Sequence, residues 1–225
     1  MAGRRAAGTG LREPLSRERI AQAALALIDR VGVEGCSMRR LGAELGVEAM
    51  ALYHHFPSKG ALLDAVLDRL AGEIEVPVRE TTAPLPRLRR AIENYYALAR
   101  HHPRAFVLLA TRRFNGDAAF AKYEQILQGF ADLGLDARRS AYWFRLLGNY
   151  ASGSGLADVA SRELEPDATP LVLEREPRSV PQSLVAAVAP HLQAARLDAA
   201  FAYGLDVLFQ ALQREVPAPA ACDGR

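Results

Sequence analysis

Residues 37–56, SMRRLGAELGVEAMALYHHF, have the spacing of two short helices separated by a glycine. Ser37 can cap the first helix, because a serine hydroxyl accepts a hydrogen bond from a backbone N–H of the first turn. Gly46 suits a tight turn, since glycine adopts positive φ without steric cost, and Gly42 and Ala43 are small enough for two helices to meet at a steep angle. Apolar residues recur where the inner faces of both helices would be buried: Leu41, Leu45, Val47, Leu52 and Phe56. The pattern predicts a helix-turn-helix.

The second of these helices carries short, mixed side chains on its outer face: Ala49, Met50, Ala51 and His54. A helix with such a face can enter the major groove of DNA without steric obstruction. The alternative is a helical hairpin inside an ordinary bundle, with Gly46 as a routine helix end. A basic segment and a helix of suitable length before the motif, and YHHFPSK at 53–59, favour DNA binding over this alternative.

The distribution of charge agrees with a DNA-binding module on a larger body. The chain has 225 residues, half of them hydrophobic, and a formal net charge of +2. Residues 1–60 carry an excess of basic over acidic side chains, whereas the remainder is nearly balanced. A basic front end on a near-neutral body is the electrostatic pattern expected of a protein that binds nucleic acid through one small domain.

Several other classes of protein are disfavoured by the sequence. No run of eighteen apolar residues is present, and the basic start at residues 1–5 is not followed by an apolar stretch, so we expect a cytoplasmic protein without a membrane span. Cys36 and Cys222 do not support a disulfide framework or a zinc site. The histidine pairs at 54–55 and 101–102 lack the spacing of a metal site, and no phosphate loop or nucleophile motif occurs. We therefore expect no metal, no cofactor and no enzymatic activity.

Helical periodicity extends along most of the chain. Ser16 can cap a first helix that Gly32 ends, and Leu62, Leu63, Val66, Leu67 and Leu70 mark a fourth. Further helices are predicted at roughly 86–101, 103–114, 117–133, 136–161, 182–194 and 196–215, with a long exposed loop at 162–181. The fold class is therefore all-α, with a three-helix helix-turn-helix domain and a larger helical domain. We predict a flexible basic arm at 1–15, the DNA-binding domain at 16–60, an effector-binding and dimerisation domain at 61–216 and a disordered tail at 217–225.

The chain resembles the tetracycline-repressor (TetR) family. The strongest likeness is Gly46-Val47 followed by Leu52-Tyr53-x-His55-Phe56-x-x-Lys59-x-Ala61-Leu62-Leu63. Weaker likeness continues into the body, at Val107-x-x-x-Thr111-Arg112 and at Phe201-x-x-Gly204-Leu205-Asp206-x-Leu208. The resemblance implies a homodimeric transcriptional repressor that leaves a palindromic operator in double-stranded DNA when a small organic effector binds. Activation of transcription stays open, as does an effector-independent architectural or protein-interaction role for the same fold.

The resemblance also implies which residues contact DNA. Arg39 corresponds to a position near the start of the second helix, where its guanidinium matches either a phosphate or a guanine edge. Ser37 would cap that helix and present its N–H groups to a phosphate. Tyr53 and Lys59 match phosphate contacts of the family. Its base-facing positions are matched by Ala49, Met50, Ala51 and His54.

In the body, the resemblance implies an effector pocket that includes Phe106, Thr111, Arg112, Arg145 and Asn149. Magnesium-binding histidines of the tetracycline-binding members fall at Glu75 and Leu108 in this chain, so we do not expect a magnesium–tetracycline effector. The last helix and the helix before the long loop are expected to form the dimer interface, through Leu146, Tyr150, Leu205, Leu208, Phe209 and Leu212. The alternative for these stripes is that they complete the core of one protomer.

Overall fold

The computed structural model describes residues 14–112, 115–163, 184–192 and 196–217. These ranges fold into helices joined by turns, without a strand among them, which confirms the all-α prediction. The helices are α1 Arg17–Gly35, α2 Met38–Leu45, α3 Ala49–Tyr53, α4 Lys59–Gly72, α5 Pro84–His101, α6 Phe106–Thr111, α7 Asp117–Asp132, α8 Ala137–Glu163, α9 Leu184–Val188 and α10 Leu197–Glu215, with a 3-10 turn at Ala189–His191. The predicted arm, most of the predicted loop at 162–181 and most of the predicted tail lie outside the described residues.

The first helix begins and breaks where its sequence predicts. The Ser16 hydroxyl accepts a hydrogen bond from the Arg19 backbone N–H at 3.2 Å, which satisfies one of the free donors of the first turn. Gly32 has a φ of 77°, so the regular helix is interrupted there before a last short turn.

The helix predicted at 103–114 is shorter in the structure. Pro103 and a turn precede it, and α6 begins at Phe106.

Two apolar clusters form the core. The first joins α1–α4 to α6 and to parts of α5, α7 and α8, and its fully buried members include Ile20, Leu27, Leu41, Leu52, Phe56, Leu62 and Phe106. The second lies within the body, between α5, α7, α8 and α10, and includes Leu88, Phe130, Trp143, Leu147, Phe201 and Leu205. Because α6 contributes to the first cluster, helices α1–α4 share their core with the body.

The segment between α4 and α5 is held to the body by an ion cluster. Arg79 and Arg87 both donate to the Asp132 carboxylate on α7, with Arg79 Nε at 2.9 Å and Arg87 Nη2 at 2.5 Å from Oδ2. Arg87 is only 2% exposed. These hydrogen bonds hold the pKa of Asp132 well below its usual range, so the carboxylate stays ionised at neutral pH. The cluster thereby holds the segment that follows α4, and the start of α5, against α7.

Close contact between α6 and α8 depends on Gly155. A Cβ atom at Gly155 would lie 2.5 Å from two ring carbons of Phe106, whose side chain is fully buried. We expect Gly155→Ala to lower the free energy of unfolding by about 1–3 kcal/mol, because the ring has no free space to move into.

Gly148→Ala is the matched control in the same helix, since a Cβ there meets no atom within 4 Å. Gly148→Ala should raise the free energy of unfolding by about 0.5–1 kcal/mol, because alanine is more stable than glycine inside a helix. Urea unfolding of both variants at one protein concentration measures the difference. Equal changes in the two variants would refute the proposed packing constraint.

Candidate nucleic-acid interface

The predicted helix-turn-helix is formed by α2 and α3, and its turn has the expected geometry. The Ser37 hydroxyl caps α2 by accepting from the Arg40 backbone N–H at 3.2 Å. Gly46 adopts the left-handed conformation, with φ 69° and ψ 35°, and ends α2. A Cβ at Gly42 would lie 2.8 Å from the Val47 carbonyl oxygen, so glycine is required where the helices meet. Ala43 is exposed and takes no part in this contact, contrary to the sequence-based expectation.

The inner and outer faces of α3 differ as predicted. Leu52 and Phe56 are fully buried in the first core cluster. On the outer side, Met50 is 70% exposed, and Tyr53 and His54 are also exposed. Ala49 and Ala51 are half-buried beside them. Arg39 is exposed on α2. The helix itself ends at Tyr53 rather than continuing to Phe56.

Lys59 is partly engaged within the protein. It begins α4, and its Nζ donates to the Val33 carbonyl at 2.9 Å, in the last turn of α1. The Ser58 hydroxyl caps the same helix by accepting from the Ala61 backbone N–H at 3.1 Å. An ammonium group has three N–H donors, so Lys59 retains donors besides the one that joins α4 to α1.

Two arginines of α1 support the helix-turn-helix, and the sequence did not single out either. The guanidinium of Arg17 lies over the Phe56 ring, with Cζ 4.2 Å from the ring centroid, and donates to the His55 carbonyl. Arg30 forms an ion pair with Glu44 of α2 at 2.5 Å. These contacts fix the orientation of α2 and α3 on α1. Their partners are 14 to 39 residues away along the chain, so neither is visible as a local pattern.

The five residues predicted for an effector pocket are not gathered into one site. Phe106 packs against Gly155 of α8, whereas Arg145 lies ten residues earlier, about 15 Å along that helix. Arg145 and Asn149 are exposed, and the Thr111 hydroxyl donates to the Val107 carbonyl of its own helix. Arg112 instead forms an ion pair with Asp64 of α4 at 2.6 Å.

Three clefts in the described part of the protein are lined by other residues, and none of the five predicted pocket residues lies in them. One of about 920 Å³ lies between α1, α4 and the start of α7, and others of about 670 and 390 Å³ flank the segment at 75–80. The effector-pocket assignment therefore stays a prediction.

A different group of half-buried side chains lies between α5, α7 and α8. The hydroxyl groups of Tyr95 and Ser152 are 2.8 Å apart, and the Tyr95 ring meets Phe106 edge-on at 5.6 Å. Tyr123 meets Phe144 edge-on at 5.0 Å. Burial raises the pKa of Tyr123 to about 12, so its hydroxyl is neutral at physiological pH. The sequence did not identify the hydrogen bond between Tyr95 and Ser152, because periodicity does not distinguish a polar pair in a core from ordinary packing.

The stripe predicted for the dimer interface is mostly internal. Leu205 and Leu212 are fully buried and Phe209 nearly so, all within one protomer, where they belong to the second core cluster. For these three, the burial favours the alternative that the sequence left open, the core of one chain. Leu208 is half-buried, and the hydroxyl of Tyr150 donates to the Phe201 carbonyl of α10 at 2.9 Å. Leu146 alone of the six is exposed.

The described part of the chain has no group of three or more His, Cys, Asp or Glu side chains suited to a metal ion. No helix within the described ranges combines the length and apolar character needed to cross a bilayer.

Comparison with known proteins gives the family. Residues 20–66 match the model for bacterial regulatory proteins of the tetR family, and residues 84–216 match that for the tetracyclin repressor-like C-terminal domain. The HTH-type transcriptional repressor DrrR1 of Streptomyces coeruleorubidus is 32% identical over 160 residues, covering 69% of this chain and 58% of that protein. The chain therefore spans less than two thirds of the length of this relative. Tetracycline repressor protein class G of Vibrio anguillarum is 28% identical over 214 residues, covering 93% of this chain and 99% of that protein.

A solved structure agrees with the fold. The TetR family protein ActR of Streptomyces coelicolor, in complex with actinorhodin, superposes with a TM-score of 0.78 at 23% sequence identity, covering 91% of this chain and 100% of that one. The two family models together account for the helix-turn-helix and for the helical body that carries it. The chain is thus a member of the TetR family of bacterial regulatory proteins.

Proposed function

We propose that the protein is a homodimeric transcriptional repressor, which binds palindromic operator DNA in the cytoplasm through α2 and α3 and is released by a small organic effector. The observation that carries the proposal is the exposed outer face of α3 beside Arg39, on a helix-turn-helix whose first helix is capped by Ser37 and ended by Gly46. The family match supports it, since two relatives that the chain matches are named as repressors.

The chemistry of this face suggests a division of roles. The forked guanidinium of Arg39 can bind a phosphate or both acceptors of a guanine, whereas Met50 can make only apolar contacts, such as with a thymine methyl group. His54 can donate to or accept from a base edge. With alanines on either side of Met50, few hydrogen bonds to bases are available. Part of the operator preference would then come from DNA shape.

A single short helix-turn-helix makes few base contacts, so two copies on two half-sites are expected. The outward stripes of α8 and α10 are suited to join two protomers. On α8 the stripe is Tyr142, Leu146, Asn149 and Gly153, and on α10 it includes Tyr203 and Val207. Tyr203 is 72% exposed and Val207 is 47% exposed. Large apolar side chains exposed at helical spacing are typical of an interaction surface.

For the effector, the aromatic group between α5, α7 and α8 supports an uncharged or weakly polar aromatic molecule. Its rings offer stacking surfaces, and Tyr95, Ser152 and Tyr123 offer hydroxyl groups rather than charges. The structure of ActR with actinorhodin supports an organic effector by analogy of fold. The effector-independent alternative is favoured by one observation, the direct packing of Phe106 on Gly155, which fills the space beside a predicted pocket residue.

Selection of an operator from random DNA, followed by binding titrations at fixed salt, tests the proposal. We expect Arg39→Ala to weaken operator binding by about 1–3 kcal/mol, because a charge-assisted contact to a phosphate or guanine is lost. Arg138→Ala removes the same charge from an exposed position on α8 and is the control. Equal affinities for the two variants would exclude Arg39 from the interface, and failure to select any sequence would reject the proposed function.

The dimer interface has a separate test. Val207→Asp should convert the protein to a monomer in sedimentation equilibrium and abolish tight operator binding, because it would place two buried carboxylates at the interface. Leu127→Asp is the control, since Leu127 is 36% exposed on α7, away from both stripes. A dimeric Val207→Asp protein would show that α8 and α10 do not form the interface as described.

A further inference from the structure

His102 lies between two carboxylates on the helices that flank the helix-turn-helix, α1 and α4. Its Nδ1 is 2.7 Å from Oδ2 of Asp29 on α1, and its Nε2 is 2.9 Å from Oε2 of Glu73 at the end of α4. His102 itself follows α5, and its carbonyl accepts from the Phe106 backbone N–H at 2.8 Å, so its backbone also contacts the start of α6. One imidazole ring therefore connects the α5–α6 corner of the body with α1 and α4, the helices on either side of the helix-turn-helix.

The geometry favours the imidazolium form of this ring. Ionised carboxylates only accept hydrogen bonds, and a neutral imidazole has one N–H and one lone pair. In the neutral ring, the lone pair of one nitrogen would face a carboxylate oxygen within 3 Å. Protonation supplies a donor to both carboxylates at once and places a positive charge between two negative charges.

Asp29 depends on this charge. Its second oxygen, Oδ1, is buried and has no hydrogen-bond partner. The neighbouring cation on α1, Arg30, is paired with Glu44. Asp29 is half-buried, and a carboxylate partly withdrawn from water is destabilising without a compensating charge. Deprotonation of His102 would therefore remove the positive charge between Asp29 and Glu73 at the junction between α1 and the body.

The other charged groups around the ring are engaged elsewhere or face solvent. Arg104 donates to the Arg30 carbonyl on α1, and Arg100 of α5 is paired with Asp158. His101 and, on α4, Arg69 are exposed. The hydrogen bond with Asp29, and secondarily that with Glu73, raises the pKa of His102 above its ordinary value against the effect of burial.

The arrangement is suited to a proton and not to a metal ion. The two ring nitrogens point in different directions, each towards its own carboxylate, so the three side chains do not converge on one point as metal ligands must.

We propose that His102 is a proton-operated clamp, which when protonated fixes the α1–α4 unit on the α5–α6 corner and when deprotonated releases it. Its effect on DNA rests on the proposed function. Fixed orientation of the two helix-turn-helix units favours simultaneous binding of both half-sites, because less freedom is lost on binding. Operator affinity should therefore fall as pH rises through the pKa of His102.

The sign of the stability effect follows from linkage. A histidine whose pKa is raised by folding stabilises the folded state fully below its unfolded pKa, about 6.5, and this contribution disappears as pH rises through the folded value. The clamp is thus closed below the unfolded pKa and opens as pH rises through the pKa of His102 in the folded protein.

The test compares His102→Gln with His101→Gln, which removes an exposed histidine from the adjacent position. The free energy of unfolding, measured in urea from pH 6 to 9, should fall as pH rises for wild type and His101→Gln. The fall that comes from the titration of His102 should be absent in His102→Gln. NMR titration of the ring in wild type should give a pKa above about 6.5 and keeps the proposal testable if His102→Gln does not fold. A value at or below 6.5, or the same pH profile for both variants, overturns the clamp.

Operator titrations at pH 6.5 and 8.5, at constant ionic strength, test the coupling to DNA. Wild type and His101→Gln should bind about fivefold or more weakly at the higher pH, and His102→Gln should change less. Equal wild-type affinities at the two pH values overturn the proposal. Absence of DNA binding at both values instead rejects the proposed function, while the unfolding and NMR measurements still decide whether the clamp exists.

Discussion

The helix-turn-helix of this protein has no core of its own, and most of its properties depend on that constraint. Three short helices bury too little apolar surface to be stable alone. Here the apolar faces of α1–α4 meet α6 and part of α8 in one continuous cluster, in which Phe106 is fully buried. The position of α2 and α3 is therefore set by the body. A molecule or charge that shifts α6 would therefore also displace the helices proposed to bind DNA, because they pack in the same cluster.

The helix-turn-helix could be predicted because its determinants are local. The cap at Ser37 and the left-handed turn at Gly46 follow from residue type and spacing alone. The role of Leu205 could not be predicted in this way. Periodicity identifies the buried face of a helix but not what covers it, and here the cover is the same chain. Contacts such as Arg112 with Asp64, 48 residues apart, arise only from tertiary packing.

The long helix α8 has large apolar side chains on two faces. Trp143 and Leu147 face the second core cluster, whereas Tyr142 and Leu146, one position earlier in each case, face outward. A helix that is apolar on two faces gives little amphipathic signal, which explains why the sequence predicted a helix but did not separate the face that packs in the core from the face that points outward. The inner face holds α10 in place, so the outward stripes of both helices are presented on a rigid support.

The hydrogen bond from Lys59 to the Val33 carbonyl also bears on the entropy of DNA binding. A solvent-exposed lysine samples many rotamers, and ordering it on a phosphate costs up to about 2 kcal/mol of side-chain entropy. Folding has already ordered Lys59 between α1 and α4. If it contacts a phosphate, its charge contributes to the salt dependence of binding through counterion release, yet little further side-chain freedom is lost. Because Lys59 is already ordered in the free protein, it would lose less side-chain entropy on binding DNA than an ordinary exposed lysine.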